Sequence, residues 1–223
     1  MSREIQNRIV GIVGRKGAGK STFIQSHLRA SPRVFAFDVM DEMAVIPNRL
    51  GSIRGVERFF AFAGGRDSWA ARYVPEGDLE EAIDQVCPLV YERRNLLFVC
   101  EEIALYTRPG SVTPAFGKLV RTGRHREISL VWATQRPAEC AKSITALTDL
   151  WVLFSVTEPR DLDAVADRCG AGVSERVASL GPHEFIIWDV QARELIEDSP
   201  WLFRLDVRPV ARRRRFGRIV IVR

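Results

Sequence analysis

Five mostly apolar residues, Ile9-Val10-Gly11-Ile12-Val13, run straight into Gly14-Arg-Lys-Gly-Ala-Gly-Lys20-Ser21-Thr22, and no other stretch limits the fold as tightly. The pattern G-x-x-x-x-G-K-[ST], set between a strand and a helix, turns successive backbone N–H groups inward on its glycines. The helix N-terminus behind them favours negative charge. Gly14, Arg15, Lys16, Gly17, Ala18, Gly19, Lys20, Ser21 and Thr22 are therefore the expected nucleotide-binding residues. Lys20 is placed to reach the β- and γ-phosphates, and the Ser21 hydroxyl to ligate Mg²⁺.

Behind this motif, short apolar runs alternate with helix-like segments. Strands are expected at Arg8 to Val13, Val34 to Val39, Leu96 to Cys100, Ile128 to Thr134 and Leu150 to Val156. Helices are expected from Lys20, over Asp78 to Arg93, and near Pro114 to Thr122. Runs that are apolar on both faces, separated by helices, define an α/β fold with a mostly parallel sheet covered by helices. After Val156, "TEPRDLDAVADRCGAG" reads as a helix opened by Pro and closed at Gly170, and His183 to Trp188 with Arg193 to Ile196 read as a hairpin. Ala44 to Trp69 is the least regular segment. It carries Arg49, Arg54, Arg58 and Arg66 and is either a structural connection or a functional insertion.

Hydrolysis needs an acidic strand end beside the phosphate loop, and "LLFVCEEIALYT" supplies one. One carboxylate can hold the metal shell while the next polarises the attacking water. If Cys100 ends the strand, Glu101 takes the metal position and Glu102 follows it. In the other register Cys100 takes the metal position, which is disfavoured because thiolates suit Mg²⁺ poorly. Gln135 ends the apolar run of "ISLVWATQRP", where its amide can meet the γ-phosphate or the water. Arg121, Arg124 and Arg126 precede that strand.

Taken together, "GRKGAGKST", "LLFVCEEIA", "GRHREISLVWATQRP", "LFSVTEPRDLDAV" and "LGPHEFIIWD" resemble the FtsK/HerA superfamily of P-loop ATPases, and cover most of Arg8 to Val190. The compact size and the "VTEP" turn look most like genome-packaging ATPases of membrane-containing icosahedral viruses. The resemblance implies a P-loop NTPase fold of RecA/FtsK type that uses ATP and Mg²⁺. It further implies a homo-oligomeric ring, usually of six subunits, moving double-stranded DNA through a central channel. By position it makes Glu102 the catalytic glutamate, Gln135 the sensor and Arg124, eleven residues before Gln135, the arginine finger offered to a neighbour, with Arg121 and Arg126 as rivals. It also implies capsid or membrane-vertex proteins as partners, and the host cytoplasm or the virion packaging vertex as the location. Glu101 departs from the usual Asp. The competing readings are a cellular DNA-processing or conjugation pump of the same superfamily, a nucleotide-sensing assembly protein, and a small-molecule kinase.

With 223 residues and 46% hydrophobic content, one ATPase domain over residues 1–206 and a basic tail over 207–223 are expected. The tail holds seven Arg and no acid, so a net charge of +5 for the chain leaves −2 for the rest. Arg212, Arg213, Arg214 and Arg215 are either a solvated run or a contact for DNA phosphates. Cys87, Cys100, Cys140 and Cys169 show neither a C-x-x-C pair nor a His at ligand spacing, which argues against zinc or a disulfide framework. No apolar stretch approaches the ~20 residues that span a bilayer, and the N-terminus lacks an apolar signal core, so a soluble intracellular protein is expected.

Overall fold

A computed structural model describes residues 7–28 and 31–196. Its strands are β1 (Ile9–Val13), β2 (Arg33–Phe37), β3 (Asn48–Leu50), β4 (Trp69–Tyr73), β5 (Leu96–Cys100), β6 (Ile128–Thr134), β7 (Leu150–Phe154), β8 (Phe185–Asp189) and β9 (Glu194–Ile196). They form one sheet in the order β3-β4-β2-β5-β6-β1-β7-β8-β9. Neighbours are parallel from β3 through β7, and β8 and β9 complete the far edge antiparallel. Every residue of β5, β6 and β7 is buried, as a parallel sheet covered on both faces requires.

Alternation along the strands divides the core in two. On one face, Val10, Ile12, Val131, Val152 and Phe154 meet Ile24 and Leu28 of α1 (Lys20–Leu28), with Met43 and Ile46 extending the layer. On the other, Phe35, Phe37, Phe98, Trp132 and Trp151 are covered by α2 (Ile53–Ala63), α3 (Leu79–Arg93), α4 (Pro114–Thr122), α5 (Lys142–Thr145), α6 (Pro159–Cys169) and α7 (Ala171–Ala178). Each large side chain fully buried here contributes roughly 1.5–3 kcal/mol. Trp132 keeps its one polar atom satisfied by donating from Nε1 to Thr148 Oγ1 at 3.0 Å.

Several elements differ from the sequence expectation. Residues 44–69 are not an irregular loop: they contain β3 and α2. Ser52 caps α2 by accepting from the Gly55 N–H at 3.2 Å, and Val56, Phe60 and Ala63 fall on its buried face. Arg54 and Arg58 lie on the exposed face, and the Arg66 guanidinium sits 4.0 Å from the centre of the Phe62 ring. β4 was hidden behind this segment. β2 and β7 each stop two residues early, and α7 follows α6 directly across Gly170. In the hairpin, β8 begins at Phe185, and His183 belongs to the turn before it. The basic run Arg212–Arg215 and the tail after residue 206 lie outside the described residues, so the proposed boundary does too.

Candidate nucleotide-binding and hydrolysis site

The loop between β1 and α1 opens at the C-terminal edge of the sheet. Its base is fixed by backbone bonds to both neighbouring strands: Gly14 N donates to Thr134 O at 3.3 Å and Arg15 N to Ser155 O at 3.0 Å. A side chain at Gly14 would put its Cβ 2.5 Å from Phe154 Cβ, so the loop lies this close to β7 only because the residue is glycine. Gly19 has φ +109°, a conformation that L side chains rarely adopt. Arg15, Lys16 and Gly17 are exposed at the tip, while Lys20 is buried at the start of α1. Lys20 Nζ donates to Gly14 O at 2.7 Å and Arg15 O at 3.3 Å, which holds the loop wound around the ammonium. Burial lowers the Lys20 pKa, and the carboxylates of Glu102, Glu101 and Glu42 oppose that shift.

Strand β5 ends at Cys100, whose side chain enters the core layer of Phe37 and Tyr106; burial pushes its thiol well above the usual range. Glu101 therefore takes the first acidic position and Glu102 the second. Glu102 is left-handed, at φ 44° and ψ 56°, an uncommon conformation for a residue with a side chain. That geometry brings its carboxylate to the end of β6. Oε2 accepts from the Gln135 N–H at 3.1 Å, Oε1 accepts from Gln135 Nε2 at 3.0 Å, and Lys20 Nζ lies 3.9 Å from Oε1. Three residues from three separate sequence segments thus meet around one carboxylate.

Two acids missed from the sequence complete the rim. Asp38, directly after β2, is fully buried; it accepts from the N–H groups of Glu42 and Met43, both at 3.0 Å, and from Arg72 at 2.8 Å. Arg72, on β4, also donates to Ile46 O at 3.1 Å and pairs with Asp41, which bonds Arg49 in turn. The network pins the loop after β2 so that Glu42 Oε2 stands 3.3 Å from Ser21 Oγ. The signal was present: "VFAFD" is an apolar strand ended by an acid, the same signature that singled out Glu101.

Glu101 is only 3% exposed, and its Oε2 has no hydrogen-bond partner. Burial, then Asp38, Glu42 and Glu102, raise its pKa to about 8. A buried oxygen without a partner, among the carboxylates of Asp38, Glu42 and Glu102, with Glu42 itself at the Ser21 hydroxyl, fits a hard divalent cation such as Mg²⁺. Among the described residues no group of three or more His, Cys, Asp or Glu could hold a metal ion. An acid whose folded pKa is raised makes no demand below its unfolded value of 4.5. Above that value the unfolded chain ionises while the folded one keeps its proton, so the penalty grows as pH rises from 4.5 to about 8 and stays constant beyond it. Glu101→Gln will therefore raise the melting temperature of the metal-free, nucleotide-free protein at pH 8.5 by at least about 2 °C, and the gain will vanish towards pH 5. Thermal melts at the two pH values check this.

Arg124 is not brought to this site. It sits in the 3₁₀ turn Gly123–Arg126 before β6, at the opposite edge of the sheet from Gln135. The seven residues of β6 separate the two by about 20 Å. Arg121 and Arg126 lie at the same edge, and the Arg126 guanidinium stands 4.8 Å from the centre of the Tyr91 ring. The Arg next to Gln135 is instead Arg136, which bonds Asp161 through Nε at 3.2 Å and ties the end of β6 to α6.

The chain has the P-loop NTPase fold: a mostly parallel sheet flanked by helices, with the phosphate loop at the C-terminal end of β1. Solved structures that share it include the genome packaging NTPase B204 from Sulfolobus turreted icosahedral virus 2 in complex with AMP. That match has a TM-score of 0.72 and 20% identity, over 87% of this chain and 98% of that one. The same NTPase in complex with ATP-γS matches at TM-score 0.70 and 19% identity, over 85% and 96%. The pCW3 conjugation coupling protein TcpA with ATPγS matches at TM-score 0.52 and 12% identity, over 82% and 57%. These neighbours, named as a genome packaging NTPase and a conjugation coupling protein, share the fold of this chain. Among curated proteins, "Protein P9" of Pseudoalteromonas phage PM2 is 34% identical over 139 residues, 60% of this chain. The match spans 62% of that relative's length. No family model matches the chain. Among the described residues, no helix is long and apolar enough to cross a membrane.

Proposed function

We propose that the protein is an ATP-hydrolysing motor that moves double-stranded DNA into a preformed viral capsid, working as a homo-oligomeric ring. The observation that carries the hydrolytic part is the Glu102 carboxylate, bonded to Gln135 by two hydrogen bonds and standing 3.9 Å from Lys20. A pure nucleotide sensor needs no such carboxylate. The packaging part is supported by the likeness to B204, whose name states that role, over 87% of this chain and 98% of that one.

In this reading the N–H groups of Gly14 to Thr22 and the Lys20 ammonium cradle the triphosphate. Ser21 and Glu101 would hold Mg²⁺, which would supply positive charge to offset that of the triphosphate. Glu102 accepts a proton from the attacking water as the new P–O bond forms and the bond to the β-phosphate oxygen breaks, leaving ADP and phosphate. Gln135, already hydrogen-bonded to Glu102, orients that water and reports on the γ-phosphate. Capsid or membrane-vertex proteins are the docking partners this role requires.

Double-stranded DNA should stimulate the Mg²⁺-dependent ATPase, and neutralising Arg212 to Arg215 together should weaken DNA binding without changing the rate measured in its absence. Each lost phosphate contact lowers the slope of log affinity against log salt by about 0.9. Transfer of phosphate to a small-molecule acceptor, with no response to DNA, would overturn the motor reading. An unchanged salt slope would remove the four arginines from the DNA contact.

A further inference from the structure

Strand order fixes which way a bound nucleotide points. The phosphate loop springs from β1. Glu102 and Gln135 follow β5 and β6 on one side of it, so the γ-phosphate faces that side. The nucleoside end then faces β7 and β8, which lie on the other side of β1. The function proposed above makes no use of the residues there.

Those residues are aromatic. Phe154 ends β7 and pairs in register with Phe185, which opens β8; their ring centres are 5.3 Å apart. Phe23 of α1 braces Phe185 edge-on at 5.1 Å, yet Phe185 remains 36% exposed. Above them is the turn Gly181 to Glu184, closed by the Gly181 N–H to Glu184 Oε2 at 2.8 Å and the Glu184 N–H to Gly181 O at 3.3 Å. It holds His183 exposed and left-handed, at φ +63°. A Cβ on Gly19 would lie 3.3 Å from His183 Nδ1 and 3.3 Å from the Phe154 ring, so the imidazole abuts the phosphate loop itself. Core packing accounts for Phe154. It does not account for an exposed His held in a rare backbone conformation against the loop.

We infer that His183 and Phe185 form the platform on which the nucleobase stacks, so that this edge of the site recognises a purine nucleoside rather than only a phosphate chain. The inference rests on the nucleotide reading above. Flat ring faces bind base faces with little regard for the edge, and the wider purine gains more than a pyrimidine.

The test compares binding of Mg²⁺-ATPγS with binding of inorganic tripolyphosphate, which has the charge but no base. His183→Asn keeps a residue type that tolerates the left-handed turn, and Phe185→Leu keeps apolar volume; each removes a ring. Both variants should bind ATPγS about tenfold more weakly and tripolyphosphate as the wild type does. Unchanged ATPγS affinity in both variants overturns the platform, as does an equal loss for both ligands, which would mean that the turn only shapes the loop. Wild-type protein that binds tripolyphosphate as tightly as ATPγS removes the platform and leaves the phosphate site standing. Wild-type protein that binds neither overturns the nucleotide reading and the platform with it.

Discussion

Glu102→Gln will keep nucleotide bound while hydrolysis falls by about 10²- to 10⁴-fold, the range lost when a positioned general base is removed. The amide is isosteric: its oxygen can still accept from the Gln135 N–H, and its NH2 can donate to Gln135 Oε1 once that side-chain amide turns over, so the end of β6 keeps its place while the proton acceptor is lost. Lys20→Ala acts differently. Its ammonium is buried and wound into the loop by Gly14 O and Arg15 O. Without it both nucleotide affinity and turnover should disappear, because the loop loses its internal support along with the charge. Equilibrium binding of a non-hydrolysable analogue, measured beside single-turnover hydrolysis, separates the two cases. Wild-type turnover in Glu102→Gln would move the catalytic role to Glu101, whose buried oxygen lacks a partner.

How far the sequence disclosed this site depended on how local each signal was. The phosphate loop, β5, α4 and β6 were readable because each is a continuous run with its own boundary, and the structure places β5, α4 and β6 at the expected residues. The choice between Cys100 and Glu101 needed the end of β5, which sends the thiol into the core. Residues 44–69 were misread because the many Arg drew attention to composition. The spacing of Val56, Phe60 and Ala63 was helical throughout, and Ser52 was available as a cap. Asp38, Glu42 and Arg72 could not be assembled from sequence, since Arg72 reaches Asp38 only through the pairing of β4 with β2. The same holds for His183: nothing near it in the chain says that the turn before β8 will lie against Gly19, which is 164 positions away. Pairing of β1 with β7 and of β7 with β8 puts it there.

The position of Arg124 makes the strongest claim about assembly. At the edge of the sheet opposite Gln135, it stands about 20 Å from the γ-phosphate side of its own subunit, too far for its side chain to reach. If Arg124 is the finger, it must therefore act on a neighbour's nucleotide, and hydrolysis becomes conditional on assembly. A finger supplied in trans raises turnover by about 10³- to 10⁵-fold, so Arg124→Ala should lower the rate by that order without weakening nucleotide binding. Wild-type activity should climb faster than linearly with protein concentration as subunits associate. The decisive measurement mixes Arg124→Ala with Lys20→Ala, each inactive alone. In a mixed ring some interfaces pair an intact Lys20 site with an intact Arg124 from the adjacent subunit, and part of the rate returns. A residue that only braced the start of β6 would give no such recovery in any proportion. Absence of recovery for Arg124, and then for Arg121 and Arg126 tested in the same way, would leave a motor whose transition-state charge is met within one subunit. Arg136, next to Gln135 and bonded to Asp161, would then be the cation to test.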